Sequence, residues 1–87
     1  MRRHTLTLPD LGLADRSISS CVWLVAEGSE VSEGDRMLEV MSDSVTVDLP
    51  APVSGIVTQL LVGEDELISV GQELAVIEEL IPVDERS

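Results

Sequence analysis

Met37-Leu38-Glu39-Val40-Met41-Ser42-Asp43-Ser44-Val45-Thr46-Val47-Asp48-Leu49 is the stretch that decides the fold. From Val45 to Leu49 apolar and polar side chains alternate, the period of a strand with one face buried. Met37 to Met41 is a second strand-forming run, and Ser42, Asp43 and Ser44 separate the two with turn chemistry. The pair reads as a β-hairpin whose tip, Met41 to Val45, projects at one end of the domain. Pro50 and Pro52 flank Ala51 and interrupt the ladder beyond it, since proline has no N–H to donate.

Outward from this hairpin the same grammar repeats. Thr5-Leu6-Thr7-Leu8 alternates polar and apolar residues and stops at Pro9-Asp10. Ile18 to Val25 is a run whose alternation slips at Ser19-Ser20, where a bulge is expected. Ile56 to Val62 and Leu74 to Glu78 follow, and Gly28, Gly34, Gly55 and Gly71 fall between the runs. Helical periodicity is absent, so the chain reads as all-β.

An internal repeat at an offset of 37 residues sharpens this reading. Leu24-Val25-Ala26-Glu27 aligns with Leu61-Val62-Gly63-Glu64, Val31 with Ile68, Gly34 with Gly71, Met37 with Leu74 and Val40 with Ile77. One copy alone could not bury its apolar face. The expected fold is therefore a two-sheet antiparallel sandwich, or flattened barrel, with quasi-two-fold symmetry and one copy packed face to face on the other. Residues 1–87 read as a single domain with its core at about 5–79 and a short tail at 80–87. Met1 and the lack of an Ala-, Pro- or Ser-rich linker suit a free-standing product.

The chain has 17 acidic residues against 5 basic ones, a formal charge of -12. All five basic residues are arginines, and lysine is absent. Such a field repels nucleic acid and anionic membrane surfaces, and a basic partner or simple solubility fits it better. Leu, Val and Ile make up one third of the chain, far too much branched aliphatic content for a disordered acidic segment. Cys21 has no second cysteine to pair with, which suits a reducing compartment. No signal-peptide run or membrane-length apolar stretch is found, so a cytoplasmic protein is expected.

The ordered motifs resemble the biotinyl/lipoyl carrier domain family, and within it the lipoyl domains of 2-oxo acid dehydrogenase acyltransferases. The residues that carry the resemblance begin with Pro9-Asp10-Leu11-Gly12, Trp23-Leu24-Val25, Glu27-Gly28, Val31 and Glu33-Gly34-Asp35. Pro50-Ala51-Pro52, Gly55, Val70-Gly71-Gln72 and Leu74-Ala75-Val76-Ile77-Glu78 complete them. They span about Leu6 to Glu79. The resemblance implies a cofactor on a lysine at the hairpin tip, within Asp-Lys-Ala in lipoyl domains and Met-Lys-Met in biotinyl ones. Here Asp43 matches the lipoyl form, making biotin the less fitting of the two, and Ser44 stands at the lysine position with Val45 after it.

Lipoate and biotin are attached as amides and need a side-chain amine, which Ser44 lacks. No cofactor is therefore expected. Lipoyl domains also commonly place a glutamate three residues before the lysine, where attachment enzymes read it; this chain has Met41. Two departures on one hairpin, in a chain without lysine, read as natural divergence rather than a designed exchange. A third is Asp65, where the family often has glycine, and aspartate tolerates left-handed backbone better than most residues.

The expectation is a non-catalytic interaction domain tied to a 2-oxo acid dehydrogenase-type system through protein contact. One alternative is a genuine acyltransferase lipoyl domain with its lysine altered. Another is a serine-linked acyl carrier, because Asp43-Ser44-Val45 looks like the Asp-Ser-Leu site that holds phosphopantetheine. Those carriers are helical, however, and Val45 to Pro52 is poor helix material.

Glu39, Asp43 and Asp48 match no calcium loop and read as a solvated face, so no metal is expected. His4, beside Arg2 and Arg3, reads as a surface histidine at a frayed end. Cys21 reads as core and Trp23 as packing over the sandwich edge. No constellation supports hydrolysis, phosphoryl transfer or redox chemistry, and enzymatic activity is not expected.

Overall fold

A computed structural model of the chain describes residues 2–12, 17–43 and 45–79, without the Cys21 side chain. Eight strands follow in order: β1 (Arg2–Thr7), β2 (Ile18–Trp23), β3 (Glu30–Val31), β4 (Arg36–Ser42), β5 (Val45–Pro50), β6 (Gly55–Leu60), β7 (Leu67–Ile68) and β8 (Glu73–Glu79). They form two four-stranded sheets, β1-β8-β6-β3 and β5-β4-β2-β7, with every pairing antiparallel. Each run read as a strand from sequence lies on one of them. Among the described residues no helix is present.

The sheets close on one aliphatic core. Leu6, Leu8, Val31, Met37, Leu38, Val40 and Leu49 are buried in it, together with Val57, Leu74, Ala75 and Ile77. Burying each Leu, Val, Ile or Met side chain contributes about 1.5–3 kcal/mol, the main stabilisation open to a domain this short.

The quasi-two-fold axis is written into the backbone hydrogen bonds. Leu24 N donates to Met37 O at 2.8 Å, and Leu61 N to Leu74 O at 2.8 Å, the same bond 37 residues on. Gly28 N donates to Val57 O, and Asp65 N to Ser20 O, both at 2.7 Å. Side chains join the pattern: Glu27 Oε2 accepts from Leu60 N, and Glu64 Oε2 from Trp23 N, both at 2.9 Å. Each glutamate thus ties the turn of its own copy to the strand of the other. Gly28 and Asp65 share a positive φ, 91° and 62°, so the aspartate occupies the left-handed conformation expected of it.

Three sequence expectations need correction. The copies do not form one sheet each, because β3 crosses to the sheet of the second copy and β7 to that of the first. The interleaving satisfies the backbone of each short crossing segment on the partner sheet. The bulge in β2 falls between Ser20 and Val22, one step later than the slip at Ser19-Ser20, and its counterpart lies between Val57 and Gln59. Finally, the end bearing His4 is not frayed. Arg2 pairs with Glu79 and His4 with Ile77, and His4 Nε2 lies 2.8 Å from Glu79 Oε1.

Gly55 breaks the repeat for a steric reason. A Cβ there would run into the backbone carbonyl of Glu78, so the close β6–β8 approach requires glycine. Its counterpart Ile18, at the open end of β2, is buried in the core instead.

Candidate functional site

The hairpin of β4 and β5 is paired from Arg36–Pro50 to Ser42–Val45, leaving Asp43 and Ser44 as the whole connection. So short a turn needs left-handed backbone, and Asp43 supplies it at φ 53°. Aspartate is one of the few side chains that tolerate this conformation. Ser44, the central residue of the sequence reading, lies outside the described residues.

Along β4 the alternation aims Val40 and Ser42 into the domain and Met41 out of it. Met41 is 39% exposed, with Thr46 of β5 on one side and Ser19 of β2 on the other. Val45, which begins β5, is also exposed. The hairpin therefore brings Met41, Asp43 and Val45 close together around its turn. Ser42 was missed. It is buried at the base of the turn, and its Oγ has no hydrogen-bond partner. The signal was available, because Ser42 falls two residues after Val40 on the inward face.

The carboxylates of the hairpin do not converge on a cation site. Glu39 and Asp48 are cross-strand partners, Asp48 Oδ2 lies 3.3 Å from Arg36 Nη1, and Asp43 sits apart in the turn. Among the described residues, no group of three His, Cys, Asp or Glu side chains is placed to hold a metal ion. Trp23 packs against the core while its Nε1 donates to Val62 O at 2.9 Å, satisfying the one polar atom of the indole. The Cys21 side chain lies outside the described residues. No helix among them is long and apolar enough to cross a membrane.

Among the described residues, Ser20 is a buried hydroxyl that both donates and accepts. Its Oγ donates to Gly63 O at 2.7 Å and accepts from Glu66 N at 3.1 Å, fixing the turn before β7 against β2. Its counterpart in the other copy is the buried Val57.

A sequence profile of the biotin/lipoyl family, described as "Biotin-requiring enzyme", matches residues 4–77. The chain belongs to this family. Among curated proteins it is 38% identical over 76 residues to the dihydrolipoyllysine-residue acetyltransferase component of an acetoin cleaving system from Pseudomonas putida, covering 87% of this chain and 20% of that protein. It is 36% identical over 78 residues to a lipoamide acyltransferase component of the branched-chain alpha-keto acid dehydrogenase complex from Pseudomonas putida, covering 90% and 18%. The chain thus spans about a fifth of the length of these relatives.

Solved structures agree on the fold of this family member. The lipoyl domain of the 2-oxoglutarate dehydrogenase complex from Azotobacter vinelandii superposes with a TM-score of 0.70 at 16% identity, over 86% of this chain and 95% of that domain. A single-chain, multi-domain long-chain acyl-CoA carboxylase gives 0.74 at 16% identity, over 92% of this chain and 7% of that one. The fold is that of a lipoyl domain, and its relatives at higher identity are acyltransferase components.

Proposed function

We propose that this lipoyl-type domain holds neither lipoate nor biotin and acts through protein contact, in or beside a 2-oxo acid dehydrogenase-type system. The observation that carries the reading is the absence of lysine from the entire sequence. The hairpin resembles the one on which the family presents its attachment lysine, and in this chain Ser44 takes that place beside Asp43 and Val45. Amide formation needs an amine nucleophile; a hydroxyl at that place would give an ester instead. The side chains present do not fit either cofactor, and no step is routed through one.

Met41 supports the same reading. On the outer face of β4 it offers a thioether where a carboxylate would meet an attachment enzyme. We further propose that the domain is one unit with its core at about 5–79, is non-catalytic, binds no nucleic acid or membrane, and works in the cytoplasm. A second reading is favoured by the acyltransferase relatives, of which the chain covers about a fifth: an acyltransferase's own lipoyl domain with its lysine exchanged. A lysine codon at position 44 in the native gene would establish it. β4 is paired up to Ser42 and β5 from Val45, and the described residues hold no helix of the kind a phosphopantetheine carrier uses.

The test is intact mass after incubation with a lipoate ligase, ATP and lipoate. The unaltered domain keeps its mass, Ser44→Lys is modified poorly, and Ser44→Lys with Met41→Glu is modified efficiently. A lipoyl increment on the unaltered domain would overturn the proposal. Efficient modification of Ser44→Lys alone would remove Met41 from it.

A further inference from the structure

The register of three strand pairings sets four residues in one row across the sheet that bears the hairpin. Thr46 faces Met41, Met41 faces Ser19, and Ser19 faces Leu67. Directly paired residues of a ladder project to the same side, so these four side chains share the outer face. Leu67 is 75% exposed and Met41 39%. Val22, 37% exposed, pairs with Glu39 in the next row along the same face.

The quasi-two-fold partner of this row is Arg3–Glu78–Ile56–Glu30, across the other sheet. Three of its four residues are charged. None of the four at the hairpin end is, in a chain where 25% of residues carry charge. The same backbone positions have therefore diverged in opposite directions. The apolar side chains lie at the hairpin end, and among the described residues Leu67 and Met41 remain exposed there.

Charge selects the occupant. Around the row stand Glu39, Asp48, Glu66 and Asp43, while the described basic groups Arg2, Arg3 and His4 all sit on β1 of the opposite sheet. Arg36, the remaining described cation, lies against Asp48. A second copy of this chain, itself at a formal -12, would be repelled from this acidic face. A basic protein surface with an apolar centre complements both features.

We infer that the outer face of the β5-β4-β2-β7 sheet, centred on Met41, Ser19 and Leu67, docks a partner protein whose apolar side chains are ringed by Arg or Lys. This deepens the reading of the domain as a contact module and rests on it. The apolar centre supplies affinity, and the acidic surround steers and orients the partner.

The experiment titrates the ¹⁵N-labelled domain with two designed helical peptides of equal positive charge, one carrying a leucine stripe between its arginines and one carrying serine there. The leucine peptide binds at least about tenfold more tightly, the difference one buried leucine side chain makes. Amide shifts centre on Ser19, Val22, Met41, Thr46 and Leu67. Leu67→Glu or Met41→Glu removes that preference, whereas Ile56→Glu on the opposite sheet preserves it. Leu67 is largely outside the core, so its exchange tests contact rather than folding. Equal affinity for the two peptides, or shifts centred on β1 and β8, would overturn the inference. So would a dimer in sedimentation that Leu67→Glu disperses, because the occupant would then be a second copy. A lipoylated domain that still prefers the leucine peptide would sink the contact-only reading and leave this surface standing.

Discussion

The two halves of this domain are alike where they bond and unlike where they face solvent. Glu27 and Glu64 make the same hydrogen bond, each into the other half, and Leu24 and Leu61 donate to Met37 and Leu74 in matched geometry. The outer rows share none of this conservatism: Arg3–Glu78–Ile56–Glu30 on one sheet answers Thr46–Met41–Ser19–Leu67 on the other. Buried backbone groups must be paired in both copies, so the scaffold holds its repeat. Outer side chains carry no such obligation and can follow function. The symmetric scaffold thus serves as an internal control for the asymmetric surface.

The largest effects test the shared part. Met37→Ala and Leu74→Ala each remove a fully buried side chain at matched positions. Each costs about 2–5 kcal/mol, and the two differ by less than about 1 kcal/mol. Urea denaturation of both variants measures this; a much larger gap would mean that the two halves of the core are not equivalent. Next come Glu27→Ala and Glu64→Ala, each leaving a backbone N–H without its carboxylate. About 1 kcal/mol is lost in either case, because both bonds lie near water. Thermal melts of the pair would break the comparison if one exchange were silent.

The smallest effects fall where the copies differ in one backbone residue. Gly28 and Asp65 occupy matched left-handed positions. Gly28→Ala costs about 1 kcal/mol, whereas Asp65→Gly changes stability by about 0.5 kcal/mol or less, since relief of φ strain is offset by a more flexible unfolded chain. Denaturation midpoints for the two variants sharpen the estimate of what aspartate costs at that turn.

Much of this was legible in the sequence because strand period and repeat are both local signals. The alternation from Val45 to Leu49 announced a strand whose apolar face is buried at Leu49 and half-buried at Val47, though Val45 at its start is exposed. The offset of 37 residues matched Val31 with Ile68. The strands holding those two, β3 and β7, were not legible as strands, because two residues cannot display alternation. Their crossing to the opposite sheet depends on tertiary pairing. His4 looked frayed because three polar residues in a row carry no apolar period, yet pairing with β8 orders them. The hairpin itself was readable, but Met41 as an outward residue was not: strict alternation puts it on the face of the buried Met37, and the register shift between Arg36 and Leu38 reverses that. Nor was the row through Thr46, Met41, Ser19 and Leu67, since it exists only once three registers are fixed. Ser42 is a different case: its spacing from Val40 marked it as inward, but its residue type reads as turn chemistry and outweighed that signal.

The account's central claim is that the hairpin of this lipoyl-type domain bears no cofactor. Its most direct test is mass spectrometry of the protein isolated from its native cells, on the tryptic peptide that begins at Met37 and includes Ser44. The predicted result is the mass of the bare polypeptide. A lipoyl or biotinyl increment mapped to Ser44 would contradict it.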